Sequence, residues 1–195
     1  MKVFKAAIIF LGRPGSGKDT QAELLAKKFG LTHIVSSKLI KAALKKKKGV
    51  KFEKEHRLQK SGFLNTPEFV SALVRAKIRS IAGRGRGIII SGSPRTLIEL
   101  KDELPLLKKL YGKNTYFFHV AINPKEVYIR NLKRHRKDLP GLDTREIIKK
   151  RLAVFNRETL PVIKYLKSKR IIFHINGEQP IAKIHKDILK ILPKA

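Results

Sequence analysis

Gly12, Arg13, Pro14, Gly15, Ser16, Gly17, Lys18, Asp19 and Thr20 place three glycines ahead of a lysine, an acid and a hydroxyl. Glycines at that spacing let the backbone curl so that successive N–H groups face one concavity, and a following helix adds its positive N-terminal end. Lys18 supplies a mobile cation. The combination suits the oxygens of a phosphate chain. An ordinary glycine-rich turn could carry the same letters, so the flanking pattern decides. An apolar run from Ala6 to Leu11, rich in β-branched and aromatic residues, predicts a strand before the loop, and the period of Gln21 to Phe29 predicts a helix after it.

Other chemically suggestive residues sit at comparable joints. Ile88-Ile89-Ile90 reads as a strand buried on both faces, and Ser91-Gly92-Ser93-Pro94-Arg95 follows at its end. Thr32 to Val35 reads as a short strand, with Ser36 and Ser37 as caps of a helix beginning near Lys38. Lys45 to Lys60 reads as a helical, solvent-facing stretch with the Lys45 to Lys48 cluster at its start. Thr66-Pro67-Glu68 predicts a helix capped by Thr66. Gly83 to Gly87, with its interleaved arginines, reads as a connecting turn. Further helices are predicted from about Leu97 to Tyr111, from Pro124 into a basic run through Arg130, Lys133, Arg134, Arg136 and Lys137, from Thr144 to about Lys169 with Pro161 as a kink or break, and from Pro180 to Leu192. Tyr116 to Ile122 and Arg170 to Ile175 complete the strands.

Strands alternating with helices predict parallel βαβ units, hence a three-layer α/β domain over residues 1–195 with about five strands. Ligands of such sheets bind beyond the carboxyl ends of the strands, where most of the residues above fall. Two insertions stand out, roughly 38 to 83 and 134 to 144.

Composition bounds the partners. The chain has 195 residues and no cysteine, so disulfides and thiolate metal sites are excluded; its six histidines are scattered without ligand spacing and read as surface or strand-filling residues. No apolar run approaches the about 20 residues of a membrane span. Met1-Lys2 leads straight into the first strand, which predicts a cytoplasmic protein. Lys and Arg number 45 against 15 Asp and Glu, a net charge of +30. That field attracts nucleotides, nucleic acid and acidic surfaces alike, and a generally basic proteome would give it without any macromolecular partner.

Taken together the motifs resemble adenylate kinase and its nucleoside monophosphate kinase relatives, over nearly the whole chain. Gly12 to Gln21 is similar to the family's GxPGxGKGTQ loop, with the hydroxyl two positions after the lysine rather than one. Thr32 to Ser36, Ser61-Gly62-Phe63-Leu64, Ser93 to Leu97, Arg130 to Arg134 and Lys149 to Leu152 match in order and spacing. The resemblance implies a P-loop NTPase fold of the short-lid type without zinc, and phosphoryl transfer from ATP to a monophosphate with Mg²⁺. It implies that the Gly12 to Thr20 loop holds donor phosphates, with Lys18 bridging to the transferred group. Arg95 and Arg151 would clamp the acceptor phosphate, Arg134 and Arg136 would come from the lid, and Arg130 would stack on the donor base. Ser36 and Lys41 fall on the acceptor side, Lys41 where the family has an arginine.

The departures are specific. Ser91 and Lys38 stand where the family has aspartates that hold waters around Mg²⁺, which predicts a weakened metal site. Asp19, with Thr20, is the nearest replacement; an acid there also suits the first turn of a helix. Residue 142 is Leu, where the family has an acid beside Asp143. Glu99 stands where adenylate kinases carry a base-reading glutamine; an ionised carboxylate only accepts, which suits the N–H edge of guanine, while a solvated helix residue is the alternative. Three functions therefore stay open: a monophosphate kinase, with AMP ahead of GMP; a degenerate kinase fold binding nucleotide or RNA, within a ribonucleoprotein; and an ATPase assisting ribonucleoprotein assembly. A monomer is expected.

Overall fold

The computed structural model of the chain describes residues 4–46, 49–134 and 143–193, with Lys46, Lys51 and Arg134 described by backbone alone. Five strands, β1 (Ala7–Leu11), β2 (Thr32–Val35), β3 (Ile88–Ser91), β4 (Thr115–Ala121) and β5 (Ile172–Asn176), form one parallel sheet in the order β2-β3-β1-β4-β5. Ile9 at the centre of β1 lies opposite Ile90 of β3 and Phe117 of β4. With both faces covered, β1 is buried at every position.

The pleat divides the core. Ala7, Ile9, Leu11, Ile34, Ile90 and Phe117 join the apolar faces of α2 (Ser36–Lys46), α4 (Pro67–Ala82), α5 (Leu97–Tyr111) and α8 (Leu160–Ser168). Ile8, Phe10, Ile89, Phe118 and Ile175 meet α1 (Lys18–Phe29) and α9 (Ile181–Leu189) on the other face. Each such Ile or Phe, fully removed from water, contributes about 1.5–3 kcal/mol. A third, smaller cluster of Ile122, Val127, Ile148 and Leu152 joins α6 (Pro124–Arg134) to α7 (Arg145–Val154). The result is the three-layer parallel α/β fold that the strand and helix pattern predicts, with the glycine loop leaving its central strand.

Local differences from the sequence reading have physical causes. The 38 to 83 region is α2, α3 (Val50–Lys60) and α4. Ser36 is itself the first residue of α2, and its hydroxyl donates to Gly92 O at 2.8 Å. Thr66 makes no side-chain cap on α4, because its hydroxyl donates to Glu55 instead. The predicted helix 144–169 changes pitch in the middle. Pro161 has no N–H to give, and the strain is taken up by a π-helical turn, Phe155–Thr159, in which Leu160 N–H reaches back to Phe155 O. Residues 135–142 of the predicted lid are outside the described residues. Among the described residues no helix is long and apolar enough to cross a membrane.

Candidate active site

The loop after β1 is shaped by its neighbours as much as by its own glycines. Gly15 has φ +80°, and a Cβ there would lie 2.6 Å from Nδ2 of Asn131. Asn131, buried on α6, donates from Nδ2 to Pro14 O at 3.1 Å and to Val127 O at 2.7 Å, so the loop rests on α6. Ser16 N–H donates to Arg13 O at 3.1 Å, tightening the bend. Gly17, left-handed at φ 84°, precedes α1, which begins at Lys18. The first N–H groups of a helix have no carbonyl partners within it, and here they meet a curled loop, which is a site for anionic oxygen.

Three neighbouring side chains depart from simple expectation. The guanidinium of Arg13 turns away from the loop's mouth: Nη1 donates to Ile122 O, and the group lies 5.7 Å from the Phe155 ring centroid. Arg13 therefore offers the loop its backbone. Thr20 is exposed on α1 and lines no part of the cleft. Arg130 is half-buried at the loop's edge; Nε pairs with Glu126 at 2.6 Å and Nη2 donates to Gly177 O at 2.8 Å, while Nη1 lies 3.5 Å from Gly15 O. It thus spans the glycine loop and the turn after β5.

In front of the loop lies an open cleft with two lobes. One is walled by Leu11, Gly12, Pro14, Lys18 and the π-helical turn residues Phe155 and Thr159. The other, about 960 Å³ including its mouth, is walled by Ser36, Ser37, Ile40, Gln59, Phe63, Asn65, Val70 and Glu99. Lys18, Gly62, Leu64, Gly92, Arg95 and Arg151 line both. Three cations from three distant stretches of chain therefore meet where the lobes join.

Asp19 and Glu99 are the carboxylates among the lining residues, and their environments differ. Burial opposes ionisation of Asp19, but Lys18, a hydrogen bond from Ser91, Arg95 and His33 outweigh it and hold the carboxyl down at about 2. Ser91 Oγ lies 2.9 Å from His33 Nε2. Burial, ahead of the smaller effects of Asp19, Glu23 and Lys38, keeps His33 below its usual range. With Ser91 donating to Asp19, the Nε2–H of His33 donates to Ser91 Oγ, so the hydroxyl both gives and receives a hydrogen bond. Glu99 is pushed upward by burial, against hydrogen bonds from Arg95 N–H and Ser93. Its Oε2 accepts from Arg95 N at 2.9 Å and from Ser93 Oγ at 2.8 Å, while Thr96 Oγ1 accepts from Glu99 N at 3.1 Å. Glu99 thus locks the Ser93–Thr96 turn to the first turn of α5. At Gly92, φ +86°, a Cβ would come within 2.5 Å of Ser36 Oγ and 3.0 Å of Arg95 Nη2, so the start of α2, the residue after β3 and the Arg95 side chain are drawn together there.

The second lobe has a brace that the sequence conceals. Glu55 of α3, buried, accepts from Asn65 Nδ2 at 2.8 Å, Thr66 N at 3.0 Å and Thr66 Oγ1 at 2.6 Å. It holds the segment carrying Gly62, Phe63 and Leu64 over the cleft. In sequence it is one acid in a polar run; only its distance of ten residues from an Asn-Thr-Pro helix start hints at pairing. His33 was equally hidden, since a lone strand histidine has no ligand spacing. Lys41 of α2 lines neither lobe. Arg136 lies outside the described residues, as does the side chain of Arg134.

A divalent cation fits this set in one way. No group of three or more His, Cys, Asp or Glu side chains able to hold a metal occurs among the described residues. Mg²⁺ is commonly held by one or two carboxylates together with phosphate oxygens and water, and an ionised Asp19 facing the cleft meets that requirement.

The parallel sheet, the glycine loop on its central strand and the helix that follows define a P-loop phosphate-binding α/β protein with a second, cation-lined pocket beside the loop. The family model described as Adenylate kinase matches residues 10–171. The adenylate kinase of Leptospira biflexa is 31% identical over 94% of this chain and 97% of its own length. Those of Prochlorococcus marinus and Bacteroides fragilis are 30% and 29% identical, again over 94% of this chain, and over 97% and 96% of their own lengths. The chain belongs to the adenylate kinase family.

Proposed function

We propose that the protein transfers the terminal phosphoryl group of ATP to a nucleoside monophosphate, with AMP as the preferred acceptor. The observation that carries this reading is the convergence of Lys18, Arg95 and Arg151 on the junction of two lobes, one built on a phosphate loop. A phosphate oxygen of the acceptor attacks the γ-phosphorus, the bond to the bridging oxygen breaks, and two nucleoside diphosphates result. Such a transfer needs no nucleophilic side chain; it needs the reactants held in line and the spread negative charge met by cations and N–H groups in a site short of water.

In this reading the Gly12 to Gly17 backbone and the first turn of α1 hold the donor phosphates, and Lys18 follows the transferred group. Arg95 and Arg151 take the acceptor phosphate, for which the planar guanidinium fork is suited. Arg130, beside Gly15 and Gly177, borders the donor base. Arg134 supplies a further cation from the lid. Asp19 would hold Mg²⁺, which would supply charge neutralisation for the phosphate chain. Ser36 and the Gly62 to Leu64 segment border the acceptor nucleoside. Glu99 has its carboxylate taken up by Ser93 and Arg95 N–H, which supports a bracing role ahead of a guanine-reading one, and hence AMP ahead of GMP.

A coupled assay with AMP, GMP, CMP and UMP, with and without Mg²⁺, tests this reading. AMP- and Mg²⁺-dependent formation of ADP from ATP is the expected result, and a large GMP preference would replace the acceptor. Hydrolysis of ATP indifferent to any monophosphate would favour the ATPase. Salt-sensitive RNA binding without transfer would favour the degenerate form.

A further inference from the structure

Ser93 lies directly behind the Arg95 turn, wholly buried, between two carboxyl groups of α5 that are also buried. Its Oγ is 2.8 Å from Oε2 of Glu99 and 2.5 Å from Oε1 of Glu103. Two hydrogen bonds on this line need two protons, and a serine hydroxyl carries one. The second proton must come from a carboxylic acid. Glu99 Oε2 also accepts Arg95 N–H at 2.9 Å, so its negative form is the better solvated of the two. Glu103 has no such donor; its other oxygen, Oε2, is buried without a hydrogen-bond partner.

We propose that Glu103 is a neutral positioning acid, its Oε1–H donating to Ser93 Oγ, whose own hydroxyl donates to Glu99, so that one buried proton fixes the turn presenting Arg95 to the acceptor phosphate. The proposal rests on the acceptor role given to Arg95 above. Burial pushes the Glu103 carboxyl well above its ordinary range, against the Ser93 bond, with Glu99 and Asp102 adding to the rise and Arg75 opposing it. Arg75 of α4 faces this region with its charge engaged, Nη1 lying 3.3 Å from Asp102 Oδ2. Asp102 also accepts from Ser71 Oγ at 2.8 Å. α8, packed on the same side of the sheet, contributes apolar Val162, Ile163 and Leu166 to that core. Among the described residues Glu103 therefore makes no ion pair, and Arg75 acts on it only from its place beside Asp102. Raising the pH through its elevated pKa removes the shared proton, leaves two carboxylates against one hydroxyl, and loosens the Arg95 turn.

Two measurements test this, one of them independent of catalysis. Infrared spectra of the whole protein at neutral pH should contain the C=O band of a protonated carboxyl, and Glu103→Gln should remove it. A band that persists in Glu103→Gln, or that is absent from the wild type, overturns the proposal even if the kinase reading holds. In kinetics, Glu103→Met, which abolishes the donor, should raise the acceptor KM about tenfold, the scale of one lost buried hydrogen bond, with the ATP KM little changed. Glu103→Gln keeps an N–H donor and should recover most of that loss while flattening the alkaline rise of the acceptor KM. Equal losses in the Met and Gln variants, or an ATP KM that rises as much as the acceptor's, would mean plain packing. If no monophosphate is phosphorylated at all, the kinase reading fails and the infrared result still decides where the proton is.

Discussion

The hydroxyl of Thr66 donates to Oε1 of Glu55 at 2.6 Å, tying the residue before α4 to the middle of α3. With the Asn65 amide and Thr66 N–H on the same carboxylate, Glu55 holds three donors beside the second lobe. Glu55→Ala should cost about 2–4 kcal/mol, since buried donors are left without an acceptor. Thermal denaturation should show a Tm drop of about 2–4 °C per kcal/mol for a chain of this size. Steady-state kinetics should show the acceptor KM rising well above any change for ATP.

The phosphate loop has the corresponding support in Asn131, whose amide reaches Pro14 O at 3.1 Å from beneath Gly15. Asn131→Leu should weaken ATP binding about tenfold through loss of one buried hydrogen bond to the loop, with AMP binding close to wild type. Calorimetric titration with each nucleotide separates the two. Equal losses for both would place the effect in the fold as a whole.

These two supports also mark how far the sequence can be read. Strand, glycine loop and helix around Lys18 were legible because each rests on local chemistry: a β-branched run, glycines where left-handed backbone is needed, and a helical period. Arg95 and Arg151 were legible from short strings in register with a family. Glu55, His33 and Asn131 were not, because their partners lie across the fold or behind it, and nothing in their neighbours' residue types announces the pairing. Thr66 shows the same limit from the other side. Its place before Pro67 is that of a helix cap, and a buried carboxylate eleven residues earlier takes the hydroxyl instead. Pro161 likewise promised a kink or a break in a helix, and whether a π-helical turn would absorb it depended on the packing of Phe155 and Thr159.

Asp19 is held ionised down to about 2, burial opposing and Lys18, Ser91, Arg95 and His33 favouring the charge. Asp19→Asn keeps the shape and removes the charge. The Mg²⁺ concentration for half-maximal activity should rise about tenfold, on the scale of one lost charge-assisted contact. An unchanged Mg²⁺ profile would separate Asp19 from the metal.

His119 of β4 lies 3.1 Å, Nδ1 to Nδ1, from His174 of β5. Burial first, then His174 and Arg13, depress its pKa from 6.5 to about 4. Below 6.5 the unfolded chain takes up a proton that the folded chain refuses, so stability is present above 6.5 and is lost as pH falls through 4. Denaturant midpoints measured between pH 7 and 4 should fall, and His119→Gln should flatten that decline. A midpoint independent of pH in both proteins would contradict the assignment.

Lys18, at the head of α1, lines both lobes together with Arg95 and Arg151. The most direct measurement is the rate of ADP formation from ATP and AMP at saturating Mg²⁺, for the native protein and for Lys18→Ala. Removing a preorganised cation from the developing charge should lower kcat by about 10²–10³, with the fold intact by circular dichroism. Equal rates in the two proteins would contradict a transfer site built on the glycine loop.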